Sequence, residues 1–157
     1  MMQEQKTASL AAVVSEVLQN LAFMFTDFYD AEVSSKDIWL ETEIGYTGPA
    51  RGTLRFHCNR EFTTLLAANL LGTDPESVDS PAKANDAAKE FVNILCGQLI
   101  TALHGTEDVF DLTIPRLREL PETPDFTASG DPQSDNVQSA SFSVQGHRMH
   151  VLHRSEP

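Results

Sequence analysis

A chain of 157 residues, 41% hydrophobic and 22% charged, has the make-up of one folded domain that can bury a core without disulfide or metal staples. Its formal charge of −12 argues against nucleic acid or an anionic membrane as partner, because that affinity comes from clusters of Lys and Arg, of which there are only 11 in all. No stretch of about 20 apolar residues could span a bilayer, and Ser15, Glu16, Gln19 and Asn20 break up the N-terminal apolar run where a signal sequence would be continuous, so the expected location is the cytoplasm.

In chain order, Leu10, Val13, Val14, Val17, Leu18, Leu21, Met24, Phe25 and Phe28 follow the i, i+3, i+4 stripe of a helix packed on a core, which predicts a first helix to about residue 27. Alternation follows: Ile38, Leu40, Thr42, Ile44 and Tyr46 share one side, Gly48-Pro49 turns the chain, and Leu54, Phe56 and Cys58 continue, giving two antiparallel strands. Asn59 can cap a second helix that Gly72 stops. Asp79-Ser80-Pro81 announces a third helix, a capping residue followed by the position where proline costs a helix nothing; it should run to about His104, with Gly105 after it.

Beyond Gly105, "VFDLTIPRL" is strand-like, and Pro115 marks an edge, a bulge or an end because proline cannot donate to a sheet ladder. Residues 121–136 read as loop, with one short strand at Asp125 to Ala128. At the close, Ala140, Phe142 and Val144 alternate, Gln145-Gly146 turns, and Met149 and Val151 resume, which is a hairpin. The expected fold class is α+β, a single domain over 1–157 with its core at about 10–153, helices packed on one face of an antiparallel sheet.

Cys58 and Cys96 belong to no metal or redox spacing and read as buried apolar residues. His147, His150 and His153 suggest a metal cluster, but in a strand 147 and 153 share a face and 150 points away, so they read as surface histidines on a terminal strand. His57 alternates outward from Leu54 and Phe56, and His104 suits a helix C-terminus. No Ser or Cys partner makes a nucleophilic triad with them.

The third predicted helix carries the strongest functional signal. Asp86, Glu90, Asn93 and Gly97 follow one another at +4, +3 and +4, on a line apart from its apolar positions. Neighbours at those spacings lie roughly 5 to 6 Å apart at Cβ, so one compact group could touch several of them. Gly97 opens room one turn beyond Asn93 at a cost of about 1 kcal/mol relative to Ala. By itself the line also fits the solvated side of an amphipathic helix, and it names no reaction. A fainter feature is that "VLQNLAFMF" at 17–25 aligns with "EFVNILCGQ" at 90–98, Asn20 over Asn93, but with Val17 where the later stretch has Glu90.

Asp86, Glu90 and Asn93, followed 22 residues later by Pro115, resemble the signature of the CheC/CheX/FliY family of response-regulator phosphatases. The order of strand pair, "GTLRF" strand, "FTTLLAANLLG" helix, signature helix and closing hairpin extends the resemblance over about residues 10 to 153. The resemblance implies a CheX-like protein with one Glu-Asn pair, since CheC-like members bear two and Val17 breaks the first. It implies hydrolysis of a phospho-aspartate on a CheY-like receiver domain, with Glu90 and Asn93 in the catalytic roles and Asp86, Gly97 and Pro115 supporting them. It implies no cofactor in this chain, Mg2+ on the phosphorylated partner, and a homodimer. A non-catalytic module that binds a receiver, or a purely structural dimerisation domain, stands as the alternative.

Overall fold

A computed structural model describes residues 9–126 and 136–156. Three helices and six strands follow in the order α1 (Leu10–Ala22), β1 (Trp39–Thr47), β2 (Arg51–Asn59), α2 (Arg60–Leu71), α3 (Pro81–His104), β3 (Asp111–Leu112), β4 (Arg116–Glu119), β5 (Val137–Val144) and β6 (His147–Glu156). The strands form one antiparallel sheet in the order β3-β1-β2-β6-β5, with β4 also paired to β1.

Period-two alternation puts Ile44, Leu54, Phe56, Cys58, Met149 and Val151 on one face of this sheet, and all three helices lay their apolar stripes against that face. Phe56, Phe62 and Phe91, from β2, α2 and α3, are fully buried, with ring centroids 5.0 Å apart for Phe56–Phe91 and 6.1 Å for Phe56–Phe62. This is the expected α+β layering. Both cysteines are buried, and desolvation pushes both thiols up, that of Cys96 to about 12, so neither is poised to react.

Local signals end most elements where the sequence predicts. Asn59 accepts from the Phe62 amide at the start of α2, and Gly72 ends it in the left-handed region at φ 69°. Ser80 caps α3 by accepting from the Lys83 amide, with Pro81 at the first helical position and Gly105 beyond the last. In the β5–β6 hairpin, Gln145 and Gly146 take φ 51° and 80°, positive at both central residues as in a type I′ turn.

Four expectations need correction. The first helix ends at Ala22 rather than near residue 27: Phe23 enters the left-handed region at φ 56°, Met24 returns its amide to the Leu18 carbonyl, and Asn69 of α2 donates to the Ala22 carbonyl at 2.8 Å. Met24 is buried beneath this stop, while Phe25 and Phe28, which prolonged the apolar period, are exposed. Ile38 precedes β1 and is half exposed. Asp125 and Phe126 are not in a strand; the remainder of that expected strand, at 127–128, lies outside the described residues.

The fourth concerns the histidines. β6 is an interior strand between β2 and β5, and His150 and His153 are each only 4% exposed. They do point to opposite faces: His153, on the helix side, is hydrogen-bonded to the Tyr46 hydroxyl at 2.7 Å, while His150 lies across from His57 on the other side.

Pro115 belongs to an edge bulge. Leu112 pairs with Tyr46 and Arg116 with Glu43, so Thr113, Ile114 and Pro115 stand opposite only Ile44 and Gly45. Thr113 secures the bulge by exchanging hydrogen bonds with Gly45, backbone to backbone at 2.9 Å and through its hydroxyl at 2.9 Å.

Candidate functional site

Helix α3 holds the predicted line on a fixed support. Its inner side, Ala84, Ala88, Phe91, Val92, Leu95, Cys96 and Leu99, is essentially without solvent contact. Arg60 at the start of α2 reaches Asn85 at 2.7 Å and so ties the two helices near the signature. The helix cannot rotate about its axis without exposing that stripe, so the orientation of its outer residues is set by the core.

Asp86, Glu90 and Asn93 are all exposed, and Gly97 is half-buried in the same line. The structure therefore brings these four together on one helical edge; Pro115 sits on a different element, in the bulge at the sheet edge. Among the described residues, neither the Glu90 carboxylate nor the Asn93 carboxamide has a hydrogen-bond or ion-pair partner, which leaves both free for a visiting group. A Cβ built on Gly97 would meet nothing within 4 Å. No neighbour among the described residues requires that glycine.

Sequence reading missed the surroundings of this line. On one flank, a groove of about 370 Å³ between α2 and α3 is lined by Leu70, Leu71, Lys83, Asp86, Ala87 and Glu90. Leu71 is 61% exposed there, an apolar rim beside the carboxylates. The other flank, between α1 and α3, is a groove of about 380 Å³ with Glu16, Val17, Asn20, Ile94 and Gln98. Val17 is buried in it and Asn20 exposed, so the sequence echo places an asparagine on the surface without a glutamate one turn before it.

A second polar cluster lies on the sheet face away from the helices. The His57 ring is 2.8 Å from the Glu41 carboxylate, and Arg118 donates to the other oxygen at 3.1 Å. Burial opposes ionisation of Glu41, but the hydrogen bonds from His57 and Arg118 outweigh it and hold its carboxyl below the usual range. His150, packed against His57 and Phe126, is pushed down to about 4, first by desolvation, then by the charges of His57 and Arg148, with Asp125 acting weakly the other way. Among the described residues no group of three His, Cys, Asp or Glu side chains could hold a metal ion.

His150 makes stability depend on pH. Its ring stays neutral in the fold but protonates near pH 6.5 when unfolded, so stability is complete above that value and is lost as pH falls toward 4. At 1.36 kcal/mol per unit, the loss from this group between pH 7 and pH 5 is about 2 kcal/mol. His153, also pushed down by burial, adds in the same direction. Urea unfolding at the two pH values should show this drop, and His150→Gln should shrink it.

The α+β frame and the exposed α3 line together define a class of protein. The model of the family "Chemotaxis phosphatase CheX" matches residues 42–123, more than half of the chain, and the chain belongs to that family. The fold is that of the CheX crystal structures from Desulfovibrio desulfuricans (15% identity, TM-score 0.65) and Vibrio vulnificus (18%, 0.65), each alignment covering 94% of this chain and 96% of the other. A third similar structure, with 18% identity, TM-score 0.62 and the same coverage, is CheX from Borrelia burgdorferi in complex with CheY, BeF3 and Mg. No curated protein matches the chain.

Proposed function

We propose that this protein is a phosphatase for a phospho-aspartyl receiver domain of the CheY type, acting in the cytoplasm in chemotaxis or a related two-component circuit. The observation that carries the reading is the exposed Glu90–Asn93 pair, one turn apart and unpartnered on a helix that the core holds in place. Membership of the CheX family and the solved CheX complex with CheY support a receiver as partner.

The chemistry asks little of the enzyme. An acyl phosphate is already activated: water attacks phosphorus in line, the bond to the acyl oxygen breaks, and its electron pair leaves on the aspartate carboxylate, releasing inorganic phosphate. No nucleophile from the protein is needed, only a placed water. The Asn93 carboxamide can accept from the water and donate to a phosphoryl oxygen while staying neutral, whereas a carboxylate at that position would repel the phosphoryl oxygens. Mg2+ belongs to the receiver and screens charge there.

Glu90 pairs with the lysine that receivers place near the phosphate and fixes the register of the two proteins. That contact is charge-assisted and desolvated on docking, which separates it from an exposed ion pair of about 0 to 1 kcal/mol. Asp86 supports the same edge, Pro115 shapes the neighbouring sheet edge, and a homodimer paired through the sheets belongs to the same reading. The empty space over Gly97 admits the partner. Gly97→Ala should raise helix stability by about 1 kcal/mol and Tm by about 2 to 4 °C while raising KM for the receiver. A stabilised variant with unchanged KM would remove Gly97 from the docking surface.

A phosphate-release assay on a panel of phosphorylated receivers tests the proposal. Accelerated release from at least one receiver is expected. Binding of a phosphorylated receiver without acceleration would make the protein a signalling module instead, and no binding at all would favour a dimerisation domain.

A further inference from the structure

Phenylalanine is out of place at the stop of a helix. The left-handed conformation that ends α1 suits glycine or asparagine, yet Phe23 takes it, at φ 56°, and is 73% exposed, so neither capping nor burial accounts for the ring. Leu71, the last residue of α2, is exposed as well, although Leu65, Leu66 and Leu70 of the same helix pack on the core. Among the described residues, Phe23 and Leu71 are the only exposed large apolar side chains on a helix or its cap; the others lie in loops and along the bulged sheet edge.

Both come to one place. Asn69 donates to the Ala22 carbonyl at 2.8 Å, which fixes the end of α1, and with it Phe23, against the last turn of α2. That same turn supplies Leu70 and Leu71 to the groove that Asp86, Ala87 and Glu90 line from α3. Lys83 on the rim is already matched by Asp79 at 3.0 Å, whereas Asp86 and Glu90 have no hydrogen bond or ion pair among the described residues. An apolar border therefore stands beside unmatched carboxylates, a combination that fits an apolar side chain with a basic one next to it.

We infer that Phe23, Leu70 and Leu71 form the water-excluding border of the receiver-docking surface, that they take a large apolar side chain next to the receiver's lysine, and that they thereby set which receivers are accepted. The inference rests on the proposed pairing of Glu90 with that lysine. An ion pair in open water contributes little, whereas one ringed by apolar contacts is shielded from solvent and salt. The border is what gives the Glu90 contact that shelter. A receiver with a polar side chain beside its lysine leaves the pair wet and binds poorly. A second copy of this chain seated here would cover Glu90 and Asn93 and leave no way in for a receiver.

Titration with a beryllofluoride-treated receiver tests the border. Leu71→Ser should weaken binding about fivefold or more, and Phe23→Asn should do the same while holding or raising Tm, since asparagine suits the left-handed stop. Val109→Ser, at an apolar position 81% exposed in the loop after α3, should bind as wild type does. In a double-mutant cycle, the loss caused by Glu90→Ala should be about threefold smaller in the Leu71→Ser background. Unchanged binding by both border variants, additive losses in the cycle, or an equal loss in Val109→Ser would overturn the inference; so would a dimer that Leu71→Ser dissociates, which assigns the border to a second copy. Receiver binding without accelerated hydrolysis, weakened in both border variants, would support the border and remove the phosphatase reading, whereas a wild type that binds no receiver would overturn both.

Discussion

Asn93→Ala should slow phosphate release from the phosphorylated receiver by about 100-fold while leaving both the fold and receiver binding intact. The fold is safe because the side chain is exposed and makes no hydrogen bond among the described residues; alanine is also the best helix former. Binding is safe because docking rests on Glu90 and the surrounding helix edge. The rate is not, since a misplaced reacting group costs on the order of 10²-fold even when everything else is in position. Glu90→Ala should divide differently, with KM for the receiver raised more than kcat is lowered, because that carboxylate sets register rather than holding water. Single-turnover decay of the phosphorylated receiver, with binding measured separately on a beryllofluoride-treated receiver, distinguishes the two.

The opposite side of the same helix carries the largest stability effect. Phe91 is wholly buried against Phe56, and Phe91→Ala removes a ring from the junction of sheet and helices. A cost of about 3 to 5 kcal/mol is expected for such a cavity. For a domain of this size that lowers Tm by roughly 10 °C or more. Denaturant unfolding should show it as a shifted midpoint with little change in slope. A loss below about 1 kcal/mol would mean that α3 is not anchored by this contact, and the fixed orientation of Glu90 and Asn93 would lose its basis.

What the sequence discloses follows from how local each cause is. The caps of α2 and α3 are written in adjacent residues, Asn59 with Gly72 and Ser80-Pro81 with Gly105, and both helices lie where those residues place them. The end of α1 is set from a distance: the apolar period runs on through Phe25 and Phe28, while the stop depends on Asn69 holding the Ala22 carbonyl. The burial of His150 was likewise illegible, because Phe126 and His57 reach it from other parts of the chain. At the candidate site, the Asp86–Glu90–Asn93–Gly97 line could be read from helical spacing alone. The apolar groove at Leu70 and Leu71 could not, since it is assembled from two helices and has no spacing of its own.

The most direct measurement is the lifetime of a phosphorylated CheY-like receiver from the same organism as this protein is added in increasing amounts. The account predicts decay whose rate rises in proportion to the wild-type concentration, with a slope about 100-fold lower for Asn93→Ala. Decay that remains spontaneous at saturating wild type across the organism's receivers, or that accelerates equally with the variant, would contradict it.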